Sequence, residues 1–150
     1  MGLLWSFLRH GENLARQSRT ELPASILGAS KNGINVYGSR FSCSHLADWA
    51  LIALTRGSEL GVDLEQRRPM ADAEDLARSF FSPVEINELA GLSPALRLVG
   101  FFDCSTRKEA FIKAIGLGLS YPLNGFSVSL SPNQPAALLE VADDTEALKK

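Results

Sequence analysis

Cysteine is scarce in this sequence, and so are the groupings that cysteine forms in metal and redox sites. The two cysteines, Cys43 and Cys104, belong to no Cys-x-x-Cys pair, which excludes zinc-ribbon and thioredoxin-like sites. Cysteines without a pairing pattern are typical of a reducing compartment, so we expect a cytoplasmic protein.

Long apolar runs and concentrated basic charge are also missing. The apolar run at the amino terminus ends at Arg9, far short of the roughly 20 residues that span a membrane. The formal net charge is −2, and lysine and arginine occur at most in pairs, such as Arg67 with Arg68. A general nucleic-acid binder would usually concentrate its basic residues on one face. We therefore expect neither a membrane nor a nucleic acid among the partners.

The order of the predicted elements indicates the fold class. Strand patterns occupy residues 41–45, 49–55 and 59–65, and the last two are predicted to form a hairpin across the turn at 56–58. Helical patterns follow at 71–81, from a capping box at Ser82, and from Ser93 to about Ile115, where Gly116 ends the helix. Strand patterns return at 126–130 and 136–141. This order predicts one α+β domain over residues 1–150, with an antiparallel sheet and packed helices.

The amino terminus is predicted to be an amphipathic helix. Its apolar residues recur at helical spacing, at Leu3, Leu4, Phe7, Leu8 and Leu14.

Two carboxylates share one face of the predicted strand 59–65. Asp63 and Glu65 are two residues apart, and side chains alternate between the faces of a strand. Bringing two carboxylates together is costly without a cation, and oxygen ligands of this kind suit Mg²⁺. Taken alone, however, the pair is better explained by the solvated outer face of an edge strand.

A second candidate cluster lies on the predicted helix that begins at Ser93. Glu109 and Lys113 are four residues apart and share a face. Glu109 is a candidate third metal ligand and Lys113 a candidate phosphate contact, whereas the alternative is a surface ion pair worth about 0.2–0.5 kcal/mol. Lys108 projects about 100° from Glu109, and it either contacts a phosphate or faces solvent.

Ser44 and His45 form a third candidate at the end of the first predicted strand. A hydroxyl and an imidazole at this place could hold a phosphate, although a lone histidine is more commonly structural. Because adjacent side chains diverge on a strand, the two do not predict a Ser/His/Asp triad.

The three clusters together resemble a known family. The order Ser-His, then Gly-Val-Asp-Leu-Glu, then Phe-Phe and a glutamate, then Lys-Glu-Ala-Phe-Ile-Lys-Ala-Ile-Gly is similar to the surfactin-type branch of the 4'-phosphopantetheinyl transferase superfamily. The matching stretch runs over about residues 41–130. The resemblance implies a 4'-phosphopantetheinyl transferase-like fold, of which the second half is expected to be incomplete in a chain of this length.

The resemblance also implies a reaction and a role for each candidate residue. The implied reaction is the magnesium-dependent transfer of 4'-phosphopantetheine from coenzyme A to a serine of an apo acyl or peptidyl carrier protein. It releases 3',5'-ADP and is the activity of a holo-acyl-carrier-protein synthase. The implied metal ligands are Asp63, Glu65 and Glu109; the implied coenzyme A contacts are Ser44, His45, Lys108 and Lys113; the implied catalytic residues are Glu109 and Lys113.

One departure from the family pattern leaves alternatives open. Ser105 stands where the family usually has tryptophan, on a stripe of the helix whose other polar exception is Lys108, so this site is predicted to be under-filled. The chain is then either an active transferase or a catalytically impaired member that binds coenzyme A or a carrier protein. A metal-dependent phosphohydrolase that shares only the carboxylates is a weaker third interpretation, because the sequence has no second acidic cluster or histidine-rich motif.

Overall fold

The computed structural model describes residues 39–56, 58–131 and 135–141, and of residues 3–9 it describes the backbone only. These residues form an α+β fold, as predicted. The strands are β1 (Leu3–Arg9), β2 (Ser39–Leu46), β3 (Trp49–Arg56), β4 (Leu60–Gln66), β5 (Phe126–Val128) and β6 (Leu138–Val141), and the helices are α1 (Ala73–Phe80), α2 (Pro83–Gly91) and α3 (Pro94–Ile115).

The strands of the described residues pair into three two-stranded antiparallel sheets, β1 with β4, β2 with β3, and β5 with β6. The predicted hairpin between residues 49–55 and 59–65 is therefore wrong. β2 and β3 form the hairpin, because the two-residue turn at Ala47 and Asp48 joins them directly, with Leu46 opposite Trp49. β4 pairs with β1 instead, from Leu3 opposite Gln66 to Arg9 opposite Leu60.

The amino-terminal apolar run is a strand, so the predicted amphipathic helix is also wrong over Leu3–Arg9. Leu14, which was part of that pattern, lies outside the described residues. A short apolar run satisfies both the helical and the strand period. The antiparallel partner β4 supplies the backbone hydrogen bonds of this segment, and no local sequence signal contains that information.

The helix boundaries follow their sequence signals. Ser82 caps α2 in a capping box: its hydroxyl accepts the N–H of Glu85, and the Glu85 carboxylate accepts the N–H of Ser82. α3 ends at Ile115 and is capped by Gly116, whose φ of 71° is left-handed, a conformation that glycine adopts without steric cost. No helix within the described residues is long and apolar enough to cross a membrane.

Helix α3 contacts β1, β4 and β5 and both other helices of the described fold. One part of it packs against β4 and β1, and its buried aromatic residues join the core formed with α1, α2 and β5. Phe101 stacks on Phe81 with ring centroids 5.4 Å apart, and Phe111 contacts Phe126 at 4.5 Å. Because β4 and α3 are in direct contact, the carboxylates of Asp63 and Glu65 on the strand lie near that of Glu109 on the helix.

Candidate functional site

Asp63 is the centre of the candidate site. It lies on β4 against α3, and only 6% of its surface is exposed. Its Oδ1 atom accepts two hydrogen bonds, from the Lys113 ammonium at 2.6 Å and from the Ser44 hydroxyl at 3.0 Å. Lys113 reaches Asp63 from the last turn of α3, so the strand and the helix are joined by an ion pair at the site.

The second oxygen of Asp63 is buried and has no hydrogen-bond partner among the described residues. Buried polar atoms in native proteins nearly always have a partner, so such an atom calls for an explanation. A carboxylate oxygen that would bind a cation is one such explanation, since the oxygen stays unpaired until the cation is bound.

Glu65 and Glu109 lie close enough to Asp63 to be affected by its charge. Burial raises the pKa of the Glu109 carboxyl, and the negative charges of Asp63 and Glu65 raise it further. Burial likewise raises the pKa of Glu65, and repulsion from Asp63 adds to the effect. Lys113 opposes both shifts. The positive charge of Lys113 therefore does not offset the burial and mutual repulsion of these carboxylates, as expected of groups that would share a further cation.

The donor set fits Mg²⁺, although it is not closed around an ion. Among the described residues, no group of three histidine, cysteine, aspartate or glutamate side chains converges tightly enough to hold a metal by itself. Mg²⁺ usually takes one or two protein carboxylates and completes its shell with water and substrate phosphate oxygens. Here one buried oxygen of Asp63 has no hydrogen-bond partner among the described residues, and the raised pKa values of Glu65 and Glu109 show that their charged forms are disfavoured. Such a set meets that requirement. The assignment of all three as metal ligands stays a prediction.

Ser44 and His45 are not brought together. Ser44 is buried and bonded to Asp63, whereas His45 is exposed on the opposite side of β2. The alternation of side chains along a strand separates the two residues, as predicted, and their assignment as coenzyme A contacts stays a prediction. His45 remains free to meet a ligand from the solvent side.

Lys108 does not face solvent, which corrects one of the two interpretations left open for it. It is 1% exposed, and its ammonium lies 2.8 Å from the Glu85 carboxylate. The same ammonium donates to the carbonyls of Leu123 at 2.7 Å and Phe126 at 2.6 Å. With three oxygen partners inside the protein, Lys108 has no donor left for a coenzyme A phosphate, and we assign it a structural role.

Sequence reasoning missed two contributors to this region. Ser42 was not predicted, yet its hydroxyl accepts the N–H of Val62 as that of Ser44 accepts the N–H of Leu64, and the spacing of two residues between the serines was the only available signal. Glu85 was recognised as part of a capping box but not as the partner of Lys108, 23 positions along the chain. Both roles depend on tertiary contacts that neither local pattern contains.

A cavity of about 540 Å³ that opens to solvent is lined in part by Ser105 and Glu109, so space is available beside Ser105, and the under-filled site stays a prediction. Its apolar walls include Phe81, Phe101 and Tyr121. We expect Ser105→Trp to raise the free energy of unfolding by about 0.5–2 kcal/mol, as cavity-filling substitutions commonly do. Urea denaturation measures the change, with Ser105→Ala as the control that removes the hydroxyl without filling the space. A lower stability for Ser105→Trp would mean that the cavity walls cannot accommodate the indole.

The pKa shift of Glu109 predicts how the metal-free protein responds to pH. A carboxyl whose pKa is raised by folding favours its protonated form in the native state, so stability is lost as pH rises from the ordinary value through the raised one. Glu109→Gln removes this loss, and we expect it to raise the melting temperature at neutral pH in EDTA. The advantage should vanish below the ordinary glutamate pKa, where both side chains are neutral. An equal difference at all pH values would contradict the electrostatic cause.

The chain matches a family of known proteins. The model of the 4'-phosphopantetheinyl transferase superfamily covers residues 59–149, and the chain therefore belongs to that superfamily.

Its relatives support the surfactin-type branch. 4'-Phosphopantetheinyl transferase HetI of Nostoc sp. is 39% identical over 101 residues, which are 67% of this chain and 42% of the relative. 4'-Phosphopantetheinyl transferase Sfp of Bacillus subtilis is 34% identical over 92 residues, which are 61% of this chain and 40% of the relative. 4'-Phosphopantetheinyl transferase AcpT of Salmonella typhi is 30% identical over 130 residues, which are 85% of this chain and 65% of the relative. The match with the first two relatives thus spans less than half of their length.

Proposed function

We propose that this chain is a transferase that moves 4'-phosphopantetheine from coenzyme A to a serine of an apo acyl or peptidyl carrier protein. The reaction is magnesium-dependent and releases 3',5'-ADP, which is holo-acyl-carrier-protein synthase activity, and the chain works in the cytoplasm. The observation that carries the proposal is the buried Oδ2 atom of Asp63, which has no hydrogen-bond partner among the described residues, beside two glutamates whose charged forms are disfavoured. Membership of the superfamily supplies the reaction class.

The residues of the site have separate roles in this proposal. Asp63, Glu65 and Glu109 would hold Mg²⁺, which supplies charge neutralisation at the diphosphate of coenzyme A. Lys113 is about one third exposed at its side chain, so its ammonium keeps donors for a phosphate oxygen while it pairs with Asp63. His45, exposed on the outer side of β2, is the candidate contact for the 3'-phosphate.

The proton of the carrier serine needs an acceptor. The serine oxygen attacks the β-phosphorus of coenzyme A, a new phosphorus–oxygen bond forms, and the bond to the leaving 3',5'-ADP breaks. Glu109 is the proposed acceptor of the serine proton, because a raised pKa brings a carboxylate closer to the range in which general bases work. It returns the proton to solvent after the modified carrier leaves.

Mass spectrometry of the carrier protein tests the function directly. A panel of apo acyl and peptidyl carriers is incubated with the chain, coenzyme A and Mg²⁺, and a gain of one phosphopantetheine group is expected. The gain should disappear with Asp63→Ala, with EDTA, and with a carrier whose acceptor serine is replaced by alanine. No gain on any carrier, with the folded chain and both substrates present, would contradict the transferase.

A second candidate is a binding module that no longer turns over. The cavity beside Ser105 favours it, since an unfilled space against Glu109 loosens the support of a proposed ligand. Titration calorimetry with coenzyme A and with each carrier separates the two. Binding without any mass gain identifies the module.

A further inference from the structure

Two serine hydroxyls join β2 to β4 where the strands do not pair as a ladder. The Ser42 hydroxyl accepts the N–H of Val62 at 3.1 Å, and the Ser44 hydroxyl accepts the N–H of Leu64 at 3.2 Å. Both serines are buried, with 6% and 8% of their surfaces exposed. The two contacts are alike in kind, in burial and in the strands that they connect, so Ser42 is a natural internal control for Ser44.

Ser44 differs from Ser42 in one further bond. Its hydroxyl donates to Oδ1 of Asp63 at 3.0 Å, the same oxygen that accepts the Lys113 ammonium. Two donors on one oxygen hold the carboxylate in a single orientation, and within the described part of the chain Oδ2 is the atom left unpaired. We propose that Ser44 is a positioning residue, which turns Oδ2 of Asp63 toward the cation. This inference rests on the proposed function, because it assigns a role around the same metal site.

The hydrogen-bonding capacity of a serine supports this role over a phosphate contact. A hydroxyl has one proton to donate, and that of Ser44 donates to Asp63 while its oxygen accepts the N–H of Leu64. To donate to a phosphate, the Ser44 hydroxyl would have to break its hydrogen bond to Asp63. Oδ1 of Asp63 would then accept a hydrogen bond from Lys113 alone. Partners that orient a metal ligand from behind typically change metal affinity by 10- to 100-fold when they are removed.

Metal binding without coenzyme A tests the proposal apart from activity. Mn²⁺ is the probe, and its free concentration is followed by electron paramagnetic resonance. We expect Ser44→Ala to weaken Mn²⁺ binding by about 10-fold or more, and Ser42→Ala to change it less than about 2-fold. Ser44→Thr keeps the hydroxyl and should restore most of the affinity. If Ser44→Ala does not fold, Ser44→Cys serves instead, because it keeps the volume and weakens the donor.

Equal loss of affinity in Ser42→Ala and Ser44→Ala would overturn the proposal, since both remove a strand contact but only one removes the bond to Asp63. A phosphate role is tested with 3',5'-ADP in EDTA, where Ser44→Ala should bind as tightly as the original chain. Weaker binding there, with unchanged Mn²⁺ affinity, would make Ser44 a phosphate contact.

A crystal structure of metal-free Ser44→Ala separates this inference from the proposed function. The Asp63 carboxylate is expected to rotate away from its present orientation, whereas in Ser42→Ala it should stay. An unmoved Asp63 overturns the positioning role even if the transferase is active. If the original chain binds no Mn²⁺ at all, the proposed metal site fails, and the crystal structure alone then decides whether Ser44 orients Asp63.

Discussion

Lys108→Met is expected to lower the free energy of unfolding by about 3–5 kcal/mol, the usual cost of removing one partner from a buried ion pair. The Glu85 carboxylate is fully buried, and Lys108 is its counter-charge at 2.8 Å. Methionine fills a similar volume but leaves the buried Glu85 carboxyl group without its counter-charge. It also leaves the carbonyls of Leu123 and Phe126 without the donor that they have now.

The Glu85 carboxylate has further partners, so the loss of stability in Lys108→Met extends beyond the Lys108–Glu85 ion pair. Its carboxylate accepts the N–H groups of Ser82 and Val128, each at 2.8 Å, and so connects the start of α2 with β5. Lys108 connects the same carboxylate to α3, directly before Glu109. We therefore expect transfer activity to fall in Lys108→Met as well, even though Lys108 is not proposed to touch the substrate.

Urea denaturation measures the stability change, and two variants control it. In the double variant Glu85→Gln with Lys108→Met, the uncompensated charge is gone, so part of the stability should return. Arg78→Met removes a cation from an exposed pair with Asp75, and it should hardly change stability, because exposed pairs contribute little. A loss below about 1 kcal/mol for Lys108→Met would refute the view that this lysine is a structural charge.

The sequence contained a signal for Lys108 that pointed in this direction. Lys108 lies on the apolar stripe of α3, and its neighbour on that stripe, Ile112, is buried. A charged residue on such a stripe is either a mistake in the helical pattern or half of a buried pair. The helix itself was predictable because its boundary signals, Pro94 and Gly116, are local. The identity of the partner Glu85 was not, because it depends on how α2 packs against α3.

The candidate site was likewise predictable from the sequence only within single elements. The period of a strand placed Asp63 and Glu65 on one side, and the period of a helix placed Glu109 near Lys113. What neither period contains is which strands are neighbours, and therefore the hairpin was assigned to the wrong pair and the bond from Ser44 to Asp63 was not foreseen. Residues within one element could be related from sequence, whereas contacts between elements needed the fold.

The contact between β4 and α3 depends on Gly61, and Gly61→Ala is expected to disrupt both the fold and the site. A Cβ atom at this position would lie 1.8 Å from the carbonyl oxygen of Ala110 and 2.6 Å from the backbone nitrogen of Ala114. Real Cβ atoms do not approach so closely, and backbone atoms in the middle of a helix cannot turn aside as a side chain can. The strand and the helix must therefore move apart.

That movement would separate the two halves of the candidate site, because β4 carries Asp63 and α3 carries Glu109 and Lys113. Overpacking a well-packed contact costs roughly 1–3 kcal/mol and occasionally more. A displacement of about 1 Å between reacting groups can cost on the order of 100-fold in rate. We expect Gly61→Ala to lose at least this much transfer activity and to lower the melting temperature.

Gly91→Ala is the matched control for Gly61→Ala. It makes the same chemical change at the end of α2, where an added Cβ would meet nothing within 4 Å, so stability should stay the same or rise slightly. Melting temperature and Mn²⁺ affinity are measured for both variants. If Gly61→Ala kept the Mn²⁺ affinity and melting temperature of Gly91→Ala, the close approach of β4 to α3 would not be what assembles the carboxylates. If Gly61→Ala lost Mn²⁺ binding but still unfolded in one cooperative transition, Gly61 would be the residue that keeps Asp63 close to Glu109.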